Sequence, residues 1–137
     1  MDLASPGGAV AEGREVIAVI NDMKKTHLVE TRVQQGRVCA SMCVPIYLQG
    51  ERRSAHPTSR WMFHEPSSVD AITGEKVETP EFEQRMDTRR IVDRYFKNSD
   101  INPDWLQALE DQWKGKDIWK TGRQLVNEGS GIITNLG

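Results

Sequence analysis

Only two cysteines occur in this chain of 137 residues, and the formal net charge is just −2. No apolar run approaches the ~20 residues that a membrane-spanning helix needs. A second Cys/His pair at metal-ligand spacing is missing too, which excludes a conventional zinc site. Near-neutral charge gives no electrostatic footprint for a nucleic-acid partner. There is no internal repeat and no low-complexity tract. No signal peptide is legible, because Met1 leads straight into Asp2-Leu3-Ala4-Ser5. The length suggests one domain.

The two cysteines, Cys39 and Cys43, lie four apart and flank Ser41. On a helix such Cα atoms sit about 6 Å apart, within disulfide range. Two readings stay open: a bridge that pins the serine segment, or two buried thiols packed as small apolar side chains. The thiol form is preferred, since a helical pair must twist its side chains to bridge. The pair alone does not fix the redox compartment.

The pattern predicts an α/β order. A helix is expected over 10–25, with Val10, Gly13, Val16, Ile17, Ile20 and Met23 on one face. A strand follows over 28–33 and is broken by Gly36. Residues 40–48 read as a short apolar helix with Pro45 near its first turn. Short strands are expected over 52–55 and 60–63, around the turn His56-Pro57-Thr58. Residues 65–78 read as a loop. A long helix then opens with Thr79 as cap and Pro80 at its first position. Its Arg85, Arg89, Arg90 and Arg94, interleaved with Asp87 and Asp93, read as a solvated face. Asn102-Pro103 opens another helix, with Trp105, Leu106, Leu109 and Trp113 inward. A short helix over 122–128 and a closing strand over 131–136 complete the order. All four tryptophans, Trp61, Trp105, Trp113 and Trp119, are expected in the core.

Three motifs carry chemistry. Ser5-Pro6-Gly7-Gly8 is a glycine turn that can aim backbone N–H groups at an oxyanion. Gly36-Arg37-Val38-Cys39-Ala40-Ser41-Met42-Cys43 sets a serine among small residues at a strand-to-helix junction. Trp61-Met62-Phe63-His64-Glu65-Pro66 supplies a histidine. A serine hydroxyl needs a base to take its proton as it attacks, and imidazole suits that task near neutral pH. His27 and His56 are poorer candidates, one before a strand and one in a proline turn. Glu65 is a local carboxylate, but neighbours along a strand face opposite ways.

In this order the motifs resemble the proteolytic subunit family of Clp proteases. The segment Asp117-Ile118-Trp119-Lys120-Thr121, followed by Leu125-Val126-Asn127-Glu128-Gly129, is similar to the family's Asp-x-Phe-x-Ser segment and the helix and glycine after it. The resemblance covers residues 1–66 well and 117–136 moderately, and is weak between. Within the family, Cys-Ala-Ser-Met-Cys followed by Val-Pro-Ile-Tyr looks closest to a divergent bacterial branch of periplasmic type. A cytoplasmic setting stays open. Cys43 stands where the family usually has glycine, which bears on helix packing and pocket size.

The resemblance implies the ββα spiral that Clp peptidases share with crotonases, as a single domain over 1–137. Family members carry further strands and a helix before this point, so the chain reads as truncated at its N-terminus. It implies a serine endopeptidase, ATP-independent or partner-assisted, with Ser41 as nucleophile, His64 as base and Asp117 as the carboxylate that orients it. Backbone N–H groups of Gly8 and Met42 would hold the oxyanion. No cofactor or metal is needed. Expected partners are a peptide or protein substrate and further copies of the chain, with an ATPase or membrane partner left open. The rival reading is a scaffold that keeps the motifs without a competent site. An acyl-CoA enzyme of crotonase type would need an adenine site and an acidic or amidic pocket residue, and neither has a motif here.

Overall fold

The computed structural model describes residues 1–5, 10–63, 68–69, 76–77, 96, 100–113 and 117–137. The leading helix, α1 (Val10–Met23), ends close to its expected limit. Its buried side is Gly13, Ile17 and Ile20, whereas Val16 and Met23 are exposed. The expected face is therefore rotated. The cause is Gly13: a Cβ there would run into the Met42 side chain, so the bare backbone lets α1 close on that residue.

Next come β1 (Glu30–Val33), β2 (Val38–Ala40), α2 (Cys43–Tyr47), β3 (Arg52–Ala55) and β4 (Arg60–Phe63). β1 pairs in parallel with β3, and β2 in parallel with β4. Both registers carry the same offset of 22 residues, from Glu30 to Arg52 and from Val38 to Arg60. The chain thus lays one strand in a first sheet, one in a second, passes through α2, and repeats. This is one turn of the expected ββα spiral. Residues 1–5 run along both layers. Leu3 N–H donates to Arg32 O (2.8 Å) and Ser5 N–H to Val38 O (2.8 Å).

The helix expected over 40–48 is shorter than predicted. Ala40 still belongs to β2 and stands opposite Met62. Ser41 then breaks the strand, and α2 starts only at Cys43. The loop expected over 65–78 also contains structure, since β5 (Ser68–Val69) and β6 (Lys76–Val77) pair antiparallel. The long helix expected from Thr79, with its arginine face, lies outside the described residues, Phe96 excepted.

α3 (Pro103–Gln112) begins as its cap predicts. The Asn102 side chain accepts from Asp104 N–H (2.9 Å) and Trp105 N–H (3.4 Å). Trp105, Leu106, Leu109 and Trp113 are buried as expected. β7 (Ile118–Thr121) joins β4 antiparallel and leads into α4 (Gly122–Asn127). β8 (Asn135–Leu136) joins β3 in parallel. Among the described residues the sheets run β1-β3-β8 and β2-β4-β7.

The core lies between these sheets and the helices. Trp61 is fully buried and meets Tyr47 edge-on, with ring centres 4.7 Å apart. Phe63 meets Trp105 in the same manner at 5.8 Å. One cation sits inside this core region. Arg53 is 4% exposed and donates to Ile132 O (2.8 Å), Gly131 O (3.0 Å) and Leu48 O (3.5 Å). Carbonyl dipoles satisfy the buried guanidinium and tie the C-terminal segment to β3. Trp119 departs from the expectation of four core tryptophans. It is 51% exposed on β7, with the Arg60 guanidinium 5.4 Å from its ring centre. Its neighbours Ile118 and Lys120 point to the other side of the strand, as the period of two requires.

Candidate active site

Ser41 follows the last residue of β2 and has φ 56°, the one non-glycine residue in the left-handed region among those described. Holding a residue with a Cβ there costs about 1–2 kcal/mol, so neighbouring contacts must impose it. The Ser41 N–H donates to Met62 O (3.0 Å) on β4, and Val44 N–H donates to Ser41 O (3.1 Å) at the start of α2. The side chain is half-buried, and its Oγ has no hydrogen-bond partner among the described residues. A sharp strand-to-helix turn thus holds Ser41 by its backbone and leaves its hydroxyl without a partner among the described residues.

Cys39 and Cys43 are joined as a disulfide across this turn, with Cα atoms 5.3 Å apart. The preferred thiol reading rested on a helical i, i+4 geometry that the chain does not adopt. Cys39 is a strand residue and Cys43 the first residue of α2. The left-handed Ser41 between them brings the two Cα atoms together.

Met42 is buried and stands at the N-cap of α2. Among the described residues its N–H finds no acceptor. An unpaired N–H beside a serine is what oxyanion stabilisation requires. Gly8, the other expected donor, lies outside the described residues. So does His64, which follows Phe63 and the end of β4, and so does Glu65. His56 is committed elsewhere: its Nδ1 accepts from Thr58 N–H (3.1 Å) within its turn. His27 is exposed and lies 2.8 Å from Thr26 Oγ1.

Asp117 is exposed and immediately precedes β7, whose first residue, Ile118, stands opposite Phe63. β7 runs against β4, so its beginning meets the end of β4. The end of β4 in turn lies beside the end of β2, where Ser41 stands. Ser41, Met42 and Asp117 are therefore delivered to one end of the second sheet. Among the described residues no group of three or more His, Cys, Asp or Glu could hold a metal ion.

The family model for Clp protease matches residues 1–129. The chain belongs to the Clp protease family. A search of curated proteins finds no match. Among solved structures, the chain is similar to the ClpP1 N165D mutant from Listeria monocytogenes, with a TM-score of 0.67 at 22% identity. The match covers 99% of this chain and 71% of that one. At this identity the likeness shows the fold, and the fold agrees with the ββα spiral traced above. Membership places the chain among the Clp-like proteases, within the hydrolases.

In this Clp-family chain the strand that follows Asp117 is anchored by groups that sequence reasoning missed. Glu128, just past α4, accepts from Lys120 Nζ (2.8 Å) on β7 and Trp105 Nε1 (2.9 Å) on α3. Trp105 in turn packs on Phe63. A legible signal nearby was Thr121-x-x-Gln124, which forms a reciprocal capping box at the start of α4. Partial burial pushes the Glu128 carboxyl upward, but the hydrogen bonds from Lys120 and Trp105 and the Lys120 charge outweigh it. The pKa lies below the ordinary value of 4.5. A carboxyl depressed in the folded state stabilises the fold above its unfolded pKa, and this contribution fades as pH falls through the folded value. Glu128→Gln is therefore expected to lower stability at neutral pH by about 1 kcal/mol, given solvent screening. The gap between parent and variant should be smaller at a pH well below 4.5 than at neutral pH. Urea unfolding at both pH values checks this, and an equal gap at each would contradict it.

Proposed function

We propose that this chain is a serine endopeptidase that works through Ser41, His64 and Asp117. Ser41 Oγ attacks the peptide carbonyl while His64 Nε2 takes its proton. The N–H groups of Gly8 and Met42 hold the oxyanion of the tetrahedral intermediate. The C–N bond breaks as His64 returns the proton to the leaving amine. Water, deprotonated by His64, then attacks the acyl ester, and Ser41 leaves with its proton restored. Asp117 keeps the imidazole in the useful tautomer and stabilises imidazolium.

The observation that carries this reading is Ser41 itself, left-handed, its side chain without a partner among the described residues, beside the Met42 N–H. The β4–β7 register supports it as well. It pairs Phe63, the residue before His64 in sequence, with Ile118, the residue after Asp117. The Cys39–Cys43 bridge fits the periplasmic-type branch, since disulfides persist in oxidising compartments. Protein or peptide substrates and assembly with further copies of the chain belong to this proposal, with or without an ATPase partner.

Turnover of a fluorogenic peptide by Asp117→Asn tests the triad. The variant is expected to lose kcat by roughly 10⁴, as loss of a tautomer-fixing carboxylate does elsewhere. His64→Ala should be at least as impaired. Turnover equal to an active parent in both would remove His64 and Asp117 from the chemistry, and a folded parent with no turnover would leave the scaffold reading standing instead.

A further inference from the structure

The disulfide encloses Ala40, Ser41 and Met42, which include both the strained serine and the Met42 N–H, unpaired among the described residues. Its two ends are firmly placed. Cys39 is paired with Trp61 in the second sheet, and Cys43 opens α2 within the hydrophobic core. Between them, Ser41 is held by one bond on each side, to Met62 and from Val44. No Cβ-bearing residue prefers a left-handed φ, so a turn with free thiols could relax toward ordinary backbone angles. That relaxation would turn the Ser41 Oγ and the Met42 N–H together, because one peptide unit links them.

We propose that Cys39 and Cys43 are positioning residues whose disulfide presets the nucleophile and the oxyanion donor. This rests on the serine-peptidase reading above. The bridge is built during folding. Two thiols give two electrons and two protons to an external disulfide, which leaves as two thiols. Once folded, the sulfur-bearing residues are sealed, with Cys39 0% and Cys43 2% exposed. The device is therefore a staple set by oxidative folding, and reductant acts on it only through opening of the turn.

The test compares the oxidised parent, the parent unfolded and refolded in a dithiol reductant, the double variant Cys39→Ala with Cys43→Ala, and Ser41→Ala. Intact mass verifies the redox state, circular dichroism the fold, and peptide hydrolysis gives kcat and KM separately. The reduced parent and the double variant are expected to keep KM within about twofold. Their kcat should fall roughly ten- to a hundredfold, the scale of a small misplacement of reacting groups. Oxidation with glutathione disulfide should restore the reduced parent and leave the double variant unchanged.

Unchanged kcat in the reduced parent would overturn the proposal. So would reversible loss of its fold, which assigns the bridge to stability alone. Should the double variant fail to fold, the reduced parent, altered only by two hydrogen atoms, still decides. Turnover that survives Ser41→Ala removes the underlying peptidase reading. An inactive Ser41→Ala beside a fully active reduced parent removes only the positioning role.

Discussion

Ser41→Ala is expected to abolish peptide turnover, by 10⁴-fold or more, while circular dichroism and melting temperature stay near those of the parent. Removing one member of a catalytic unit that acts together costs on the order of 10⁴–10⁶ in rate. The fold should scarcely notice. Ser41 Oγ has no hydrogen-bond partner among the described residues, and the backbone bonds to Met62 and from Val44 do not involve it. Alanine carries the same Cβ, so its cost in the left-handed conformation is similar. A stability change within about 0.5 kcal/mol is expected, as for substitutions away from packed or bonded groups. Turnover equal to the parent would remove Ser41 from the chemistry. A collapse of the fold would show that the turn depends on the hydroxyl.

The largest expected effect on stability is at Trp61. It is fully buried on β4, pairs with Cys39 across the sheet, meets Tyr47 edge-on and donates from Nε1 to Ser59 Oγ (2.9 Å). Trp61→Ala leaves a cavity behind the bridged turn and deprives Ser59 of that donor. Such truncations cost about 3–5 kcal/mol. Against a typical domain stability of 5–15 kcal/mol, the variant should be largely unfolded or melt far below the parent. Chemical denaturation measures this directly. A loss under 1 kcal/mol would contradict the core described here.

Local signals made much of the fold legible. Two stretches bounded by turn residues became β3 and β4 at the expected limits, and Asn102-Pro103 opened α3 as a side-chain cap and an N1 proline should. Tertiary effects hid the rest. Residues 38–48 form a nearly continuous apolar run, in which a three-residue strand, a turn and a five-residue helix cannot be told apart by periodicity. The two-residue strands β5, β6 and β8 are too short for any pattern. The buried side of α1 follows from the close approach of Gly13 to Met42, a contact made across 29 residues of chain.

The candidate site was legible in kind, because the serine, its small neighbours and the later aspartate fall in a recognisable order. Its geometry was not. The left-handed Ser41 and the strand-to-helix span of the cysteines depend on the ladder between β2 and β4. The grip of Glu128 on Lys120 and Trp105 joins three elements distant in sequence, and no local pattern announces it.

The central claim is that Ser41 is an activated nucleophile. The most direct test exposes the oxidised parent to a fluorophosphonate probe and maps the adduct by peptide mass spectrometry. One phosphonyl group per chain is expected, on Ser41, with labelling lost in Ser41→Ala and strongly slowed in His64→Ala. A folded chain that takes up no probe, or carries it on another residue, would contradict the account.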